Sequence, residues 1–496
     1  MSSPSNRPPY LLDAGTRRLG DGRLLLGGEP PRLFRLSERG AQALESALSE
    51  GGPAGLQADR PSEQRLLARL STAGLIQPQP EPVSSLPHLT IVIPVRQPAP
   101  HLGELLARLS SCGAGSVVVV DDGSDDGGAK STAIAQRHGA RVLRRPLSGG
   151  PAAARNSAEV ETEFVVYLDA DTVLGDREPL RWLSVCLAHF SDPRLGVVAP
   201  RICSLPGRGA VARYEESSSP LDLGERPGLV GSFRRLSYVP ATALVARARA
   251  LKEIGGFDGS LRFGEDVDLV RRLGVAGWRV RYEPAAVVSH QPRRSLASLA
   301  RQRFGYGTAA AELDRRHGGT VPPFAASPSA FLASAGALGA GGGLLLGKRA
   351  AALGALSLFG ASRAVSVIGL GRKLAAAGCP APYRLADELV ESSVRSAIWA
   401  LLRAVRRCWW PFVVPLLLMR RTRSSAGLLL FSSALARFAP GSWPRRSPIG
   451  LLETSTIGLV DDLSYTGGVL AGCWRVRSLR VLLPRLVRSR PTARSG

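Results

Sequence analysis

The stretch VVVVDDGSDD at residues 117–126 decides the fold of this 496-residue chain. Four consecutive valines form an apolar, β-branched run of strand length, and two aspartates and a glycine follow directly. A run without polar alternation is typical of a strand buried on both faces, as in a parallel sheet covered by helices. We therefore predict a strand that ends in acidic residues at the edge of a doubly wound α/β sheet.

The neighbouring segments continue this alternation of strands and helices. Apolar, strand-like runs occur at LTIVIPV (89–95), RVLRRPL (141–147) and EFVVYL (163–168). Helix-like segments separate them at HLGELLARLSSC (101–112) and GGPAAARNSAEV (149–160). Because such sheets bind ligands at the carboxyl ends of their strands, we expect the functional site among the residues that follow the strands.

Two acidic motifs follow predicted strands. Asp121 is the first, and a carboxylate there can accept a hydrogen bond from the ring N–H of a nucleotide base. Asp169 and Asp171 form the second, and two carboxylates with one residue between them can jointly hold a hard divalent cation that neutralises a departing diphosphate. Acids after strands are often only helix caps, but two such motifs in one α/β unit favour a nucleotide-diphosphate site.

A third acidic element, GGFDGSLRFGEDVDL (255–269), opens an amphipathic helix. One interpretation is that the helix dipole merely favours Glu265 and Asp266 at this position. The functional interpretation makes Asp266 a general base, which accepts the proton of an acceptor hydroxyl as that hydroxyl attacks a sugar. Asp268 lies further around the helix and suits this role less.

These motifs together resemble glycosyltransferase family 2, which has the GT-A fold. TIVIPV, VVVVDDGSDD, ARNSA, YLDAD and GEDVDL occur in this order, and the resemblance covers about residues 88–310. It implies a metal-dependent, inverting transferase that uses a nucleotide-sugar donor and Mg²⁺ or Mn²⁺. The implied donor-binding residues are Pro94, Arg96, Asp121 (at uracil), Arg155 (at the nucleotide-phosphate portion) and Asp169 (near the ribose or metal), with Asp171 at the metal and Asp266 as the base.

The chain departs from the family pattern in three places. The QxxRW motif of processive members is reduced to a loose echo at Gln302-Arg303-Phe304, so processivity cannot be predicted. Pro240-Ala241 stands where many members have Gly-Ala. His290 occupies a position where some members place a histidine near the phosphates, and a purely structural histidine is the alternative.

The two flanks narrow the resemblance. FRLSERGAQALESAL (34–48) and LLARLSTAGLIQP (66–78) predict two short helices and a strand, and they resemble the winged-helix-like PqqD peptide-recognition fold. The tail DDLSYTGGVLAGCWRVRSLRVLLPRL (461–486) resembles glycosyltransferases of the mycofactocin system. That resemblance implies repeated β-1,4 transfer of glucose from UDP-glucose onto premycofactocin, a modified peptide-derived redox-cofactor precursor. A membrane-associated family 2 enzyme of cell-wall polysaccharide or glycolipid synthesis is the alternative.

The remainder of the chain predicts hydrophobic helices at a membrane. Residues 324–348 are rich in Ala, Gly and Leu and have a length that suits spanning, although three glycines at 341–343 weaken the helix. Residues 350–370 are interrupted by Arg363, and we do not expect them to span. Interfacial hairpins or buried helices are the alternatives. We expect three domains, at 1–80, 88–310 and 322–496, with the catalytic domain on the cytoplasmic side of the cell membrane.

Composition excludes several other classes. The formal charge of +24 comes almost entirely from arginine, since only four residues are lysine, and no aromatic-basic strip accompanies it. We therefore expect attraction to an anionic membrane face and no nucleic-acid partner. The six cysteines are scattered without a CxxC pair, which argues against a disulfide framework or a structural zinc site. No apolar core follows Met1, so we expect no signal peptide.

Overall fold

The computed structural model describes residues 9–48, 61–97, 101–232, 234–318, 322–438 and 450–487. It divides into two compact units, Met1–Arg294 and Ser295–Gly496. The strands of the described residues are β1 Tyr10–Leu12, β2 Arg17–Leu19, β3 Leu24–Gly27, β4 Arg32–Arg35, β5 Ile76–Pro78, β6 Leu89–Val95, β7 Ser116–Asp122, β8 Arg141–Arg145, β9 Phe164–Leu168, β10 Thr172–Val173, β11 Leu195–Ser204, β12 Gly228–Val230, β13 Ala243–Arg247, β14 Arg279–His290, β15 Ala325–Ala326 and β16 Arg485–Leu486. The α-helices are α1 Glu38–Leu48, α2 Pro61–Ala73, α3 Leu102–Ser111, α4 Ala129–Arg137, α5 Pro151–Asn156, α6 Arg181–Ala188, α7 Ala210–Ser218, α8 Ala248–Glu253, α9 Glu265–Val275, α10 Leu296–His317, α11 Pro328–Leu345, α12 Arg349–Ala376, α13 Pro382–Ala404, α14 Trp410–Val413, α15 Arg423–Leu435 and α16 Leu451–Val476.

A mixed sheet of nine strands forms the centre of the first unit, in the order β10-β14-β11-β13-β9-β6-β7-β8 with β12 paired to β14. Strands β6 to β9 are parallel, whereas β13 runs antiparallel to both β9 and β11. Ile91 and Ile93 of β6 enter one hydrophobic cluster and Val92 enters another, so both faces of this strand are buried. The doubly wound α/β sheet that the valine run predicts is confirmed.

The N-terminal part of this unit is a small module of strands and two helices. Strands β2, β3 and β4 form an antiparallel sheet, and β1 pairs with β5. Ser37 caps α1, because its Oγ accepts a 3.1 Å hydrogen bond from the Gly40 N–H, and Gly74 follows α2 with a φ of +79°. The two predicted helices are therefore present, while the identification as a peptide-recognition fold stays a prediction.

A buried row of polar side chains joins this module to the central sheet. Gln77 Nε2 donates to Asp13 Oδ2 at 3.0 Å, and Arg281 Nη1 donates to Gln77 Oε1 at 3.2 Å. Arg281 also donates to Glu283 Oε2 at 3.1 Å, and Glu283 lies 2.8 Å from His189 Nε2. All five residues are at most 6% exposed, so each polar group depends on the next one in the row.

In the second unit, helices α10 and α16 pack at very short range. A methyl group at Gly468 would collide with the Phe304 carbonyl oxygen, and one at Gly472 would lie 2.6 Å from the Thr308 carbonyl oxygen. Only glycine allows the two backbones to approach this closely. In the sequence, the glycines of the tail motif contributed only to a resemblance. The structure shows that helix packing requires them.

The aspartate pair of the same tail motif binds the buried Arg303 and the partly exposed Arg406 and Arg407. Arg303 donates from Nε to Asp461 at 3.1 Å, and Arg407 lies 3.3 Å from the other oxygen of this carboxylate. Arg406 donates to Asp462 at 2.6 Å. Burial raises the pKa of Asp462, and the charge of Arg406 opposes that rise. Arg303, the centre of the loose QxxRW echo, thus forms a structural ion pair.

Two helices of this unit, α11 and α12, are long and apolar enough to cross a membrane, with mean hydropathies of 1.2 and 1.6. The expectation that Arg363 interrupts the second segment is wrong: α12 continues through it, and Arg363 pairs with Asp387 of α13 at 2.6 Å. Only 6% of the most apolar window of α12 is buried. Leu353 and Val365, for example, are 65% and 71% exposed.

Candidate active site

The carboxyl ends of the parallel strands bring the predicted donor-binding residues to one edge of the sheet. Strand β6 pairs with β7 on one side and with β9 on the other. Pro94 is half-buried in β6, Arg96 follows it exposed, Asp121 lies at the end of β7, and Asp169 follows β9. The predicted neighbourhood of these four residues therefore agrees with the strand order.

Asp121 closes the turn after β7. Its side chain is 0% exposed, and it accepts hydrogen bonds from the Ser124 N–H at 3.0 Å and from Ser124 Oγ at 2.6 Å. Ser124 Oγ also accepts from the Gln97 N–H at 3.0 Å, which links this turn to the loop after β6. A contact between Asp121 and uracil stays a prediction.

Asp122 belongs to the same acidic motif, but the sequence assigned it no role of its own. It accepts hydrogen bonds from Arg145 Nε at 2.8 Å, Ser148 Oγ at 2.9 Å and the N–H groups of Gly149 and Gly150 at 3.0 and 2.8 Å. Burial acts to raise the pKa of Asp122, but these donors lower it below its ordinary value. The charged carboxylate fixes the turn from which α5 begins, and the only sequence signal was the doubled aspartate.

Arg155 of α5 connects three separate motifs. Its guanidinium is 3% exposed, with Nη2 donating to Asp169 Oδ1 at 2.7 Å and Nη1 donating to Glu265 Oε1 at 3.0 Å. The guanidinium lies 5.3 Å from the centre of the Phe257 ring. Arg155 thus joins the DAD loop to the start of α9, and its predicted contact with the nucleotide-phosphate portion stays a prediction.

Asn156, the next residue, fixes the GGFDG loop and was also missed. Its Nδ2 donates to the Phe257 carbonyl oxygen at 2.6 Å, and its Oδ1 accepts from the Phe257 N–H at 2.9 Å. Gly256 has a φ of +72°, and a Cβ there would lie 2.6 Å from Asn156 Oδ1. The ARN and GGF motifs therefore require each other.

Asp266 lies in the first turn of α9, partly exposed to solvent. Its Oδ1 accepts a 2.8 Å hydrogen bond from the Val267 N–H. Burial and the charge of Glu265 raise the pKa of Asp266 to about 7. A carboxylate whose pKa lies near neutrality is suited to accept a proton, because general bases work best near the operating pH.

Asp169 and Asp171 form a pair of repelling carboxylates. Burial and the charge of Asp169 raise the pKa of Asp171. A divalent cation would relieve this repulsion, so the two side chains fit one. Within the described ranges, no group of three or more His, Cys, Asp or Glu side chains could hold a metal alone.

His290 lies beside this pair. The pairing of β10 with β14 sets Thr172 opposite His290, and the Gln291 N–H donates to the Asp171 carbonyl oxygen at 3.3 Å. The imidazole contacts Ser204 Oγ through Nε2 and the Gln291 carbonyl oxygen through Nδ1, both at 3.0 Å. Both ring nitrogens have a protein partner, and a role at the phosphates stays a prediction.

Comparison with known proteins finds relatives that match different shares of this chain. The family described as "Glycosyltransferase like family 2" matches residues 87–306. The pre-mycofactocin glycosyltransferase of Mycobacterium tuberculosis is 36% identical over 487 residues, covering 96% of this chain and 97% of that protein. The succinoglycan biosynthesis protein ExoA of Rhizobium meliloti is 28% identical over 259 residues, covering 49% of this chain and 76% of that protein. Glucosyl-3-phosphoglycerate synthase from M. tuberculosis, solved with Mn²⁺, UDP-glucose and phosphoglyceric acid, aligns with a TM-score of 0.32 and 18% identity, covering 46% of this chain and 79% of that one.

Proposed function

Since the chain belongs to glycosyltransferase family 2, in the group of the pre-mycofactocin glycosyltransferases, we propose that it transfers glucose from UDP-glucose to premycofactocin with inversion, and that it repeats the transfer to build a β-1,4-linked chain. The observation that carries the proposal is the extent of the similarity. The alignment spans 96% of this chain, so it includes the N-terminal module and the tail as well as the catalytic core. A match to half of the chain, such as that of ExoA, supports sugar transfer but does not indicate which acceptor receives the sugar.

In the proposed reaction, Asp266 acts on the acceptor. Its ionised carboxylate accepts the proton of the acceptor hydroxyl, whose oxygen forms the new bond to the anomeric carbon. The bond between that carbon and the diphosphate oxygen breaks on the opposite face, and UDP leaves with the bonding electrons. The partly exposed position of Asp266 at a helix start and its pKa of about 7 support this role.

The donor is held at the strand ends. Pro94, Arg96 and Asp121, in or directly after β6 and β7, would contact the nucleoside, and Asp169, directly after β9, would meet the sugar-phosphate portion. Asp171, with Asp169, would hold Mg²⁺ or Mn²⁺, which when bound offsets the charge of the departing diphosphate. The raised pKa of Asp171 beside Asp169 supports this assignment.

We further place the enzyme at the cell membrane with its catalytic unit on the cytoplasmic side. The exposed apolar surface of α12 supports this placement, since such a surface is costly in water. Arg420, Arg421 and Arg423, which follow the short apolar segment 408–419, supply positive charge of the kind that marks cytoplasmic flanks.

The test is a transfer assay with UDP-[¹⁴C]glucose and two acceptors, premycofactocin and a lipid extract. We expect label in the peptide-derived product, released by a β-glucosidase and carrying 1,4-linkages on methylation analysis. Asp266→Asn protein prepared in parallel excludes a contaminating transferase. Label in the lipid fraction alone would contradict the proposed acceptor and support cell-wall or glycolipid synthesis.

A further inference from the structure

Glu265 precedes the proposed base and carries a buried contact that a helix-start carboxylate does not require. Its side chain is 12% exposed and accepts the 3.0 Å hydrogen bond from Arg155 Nη1. Resting on the proposed function, we propose that Glu265 is a positioning residue: through Arg155 it holds the base helix α9 in place against the donor-side loop at Asp169.

The contact works because one guanidinium spans two carboxylates. Arg155 presents Nη1 to Glu265 and Nη2 to Asp169, at 3.0 and 2.7 Å. The guanidinium is planar and rigid, so it fixes the separation of the two carboxylates more tightly than a flexible ammonium would. Residues 110 positions apart in the sequence are thereby held in one geometry.

Arg155 is itself prevented from turning away. It lies over the Phe257 ring, and Tyr167 meets that ring edge-on at 5.2 Å. Asn156 holds the Phe257 backbone by two hydrogen bonds. The position of Arg155 is therefore set by a packed core, and Glu265 is attached to an anchored group.

Two other roles for Glu265 make different predictions. A carboxylate that only interacts with the helix dipole would stabilise the helix equally well from a solvated position, without a buried cation as its partner. A carboxylate that takes the acceptor proton itself would need its charge, and its amide counterpart would be inactive. A positioning carboxylate needs only an oxygen that accepts from Arg155, which glutamine also provides.

The experiment compares Glu265→Ala and Glu265→Gln in the transfer assay on the full chain. We expect Glu265→Ala to lower kcat by about 10- to 100-fold, because small misplacements of a catalytic group cost that much. Its KM for UDP-glucose should stay within about threefold, since Arg155 still pairs with Asp169. Glu265→Gln should recover most of kcat.

The matched control is Asp268→Ala on the same helix turn. Asp268 is 1% exposed and pairs with Arg272 at 2.7 Å, so its loss loosens α9 without touching Arg155. Thermal unfolding should show a lower Tm for Asp268→Ala, with kcat close to wild type. A kcat loss as large as that of Glu265→Ala would mean general loosening and would overturn the proposal. Unchanged kcat in Glu265→Ala, or equal loss in Glu265→Gln, would overturn it too.

A second measurement needs no substrate and separates this inference from the proposed function. Wild-type protein that transfers glucose to neither acceptor would contradict the proposed function alone. The bridge that Arg155 forms between Glu265 and Asp169, called the clamp below, is then tested by the Tm of Glu265→Ala, Asp169→Ala and the double variant. We expect the double variant to lose more than the sum of the single losses, because Arg155 is left buried without either carboxylate. Additive losses would overturn the clamp.

Discussion

Arg155 and Asp169 form a 2.7 Å ion pair in which the cation is 3% exposed and the carboxylate is 30% exposed. The pair joins α5, which begins at a turn fixed by Asp122, to the loop that carries the proposed metal ligand. One buried side chain therefore connects α5 to the loop that follows β9. Removal of the Arg155 side chain should therefore lower both the stability and the activity of the protein.

Arg155→Ala should lower the free energy of unfolding by about 3–5 kcal/mol, because breaking a buried ion pair leaves uncompensated charge. Urea unfolding of the full chain measures this loss. Arg181→Ala is the control: Arg181 pairs with Glu178 on the surface, where both are more than 60% exposed. Such pairs contribute about 0–1 kcal/mol. Equal losses in the two variants would refute the importance of burial.

Turnover should rise with pH through about 7. Burial and Glu265 raise the pKa of Asp266 to this value, so at lower pH the carboxyl is protonated and cannot accept the acceptor proton. Asp266→Asn should lose about 10²–10⁴-fold in kcat, the contribution of a general base. UDP binding, measured by calorimetry, should be retained. Turnover that is unchanged in this variant would remove Asp266 from the mechanism.

Asp171→Asn should weaken the Mn²⁺-dependent binding of UDP-glucose. The affinity should fall by at least about 10-fold. Substituting a residue that only supports a metal ligand already costs about this much in metal affinity, and a ligand itself should cost no less. Calorimetry with and without Mn²⁺ separates metal-dependent from metal-independent binding. Asp176→Asn serves as control, because Asp176 is 86% exposed and pairs with Arg108. The assignment fails if both variants bind the donor like wild type in the presence of Mn²⁺.

Gly468→Ala should destabilise the second unit by about 1–3 kcal/mol, since the added methyl group meets the Phe304 carbonyl oxygen and the helices must separate. Gly467→Ala is an adjacent control. A Cβ at Gly467 meets only the Phe304 ring, at 3.7 Å, and alanine favours the helix by about 1 kcal/mol. Thermal unfolding should therefore rank Gly468→Ala below wild type and Gly467→Ala at or above it. The reverse order would contradict the packing of α10 on α16.

Val365→Asp should reduce binding to vesicles that contain anionic lipids. Val365 lies in the middle of the exposed surface of α12, and a central aspartate costs about 2.5–3.5 kcal/mol on insertion. Val275→Asp, at a 90% exposed position of α9, introduces the same charge outside the apolar helices. Flotation of full-length protein on a density gradient compares them. Equal flotation of both variants and wild type would argue against α12 as the membrane contact.

The sequence predicted what depends on local pattern. The valine run before Asp121 identified a buried strand, and one-sided spacing identified α9 with Asp266 in its first turn. Glu265 and Arg155 could not be joined in this way, because their contact crosses 110 residues and depends on how the sheet brings α5 to α9. The error at Arg363 has the same origin: a charge that interrupts an apolar run in sequence is paired by Asp387 from a different helix.

The polar row from Asp13 through Gln77 to Arg281 makes the residues of the N-terminal module and of the sheet depend on each other. A substitution at Gln77 removes a partner of a buried arginine that lies 204 residues away, so it destabilises the protein unless β14 changes as well. Modules exchanged between relatives that differ at these positions would import a mismatch into the interior. The junction near residue 80 is therefore a domain boundary in the sequence, but N-terminal modules cannot be exchanged at it without disturbing the buried contacts.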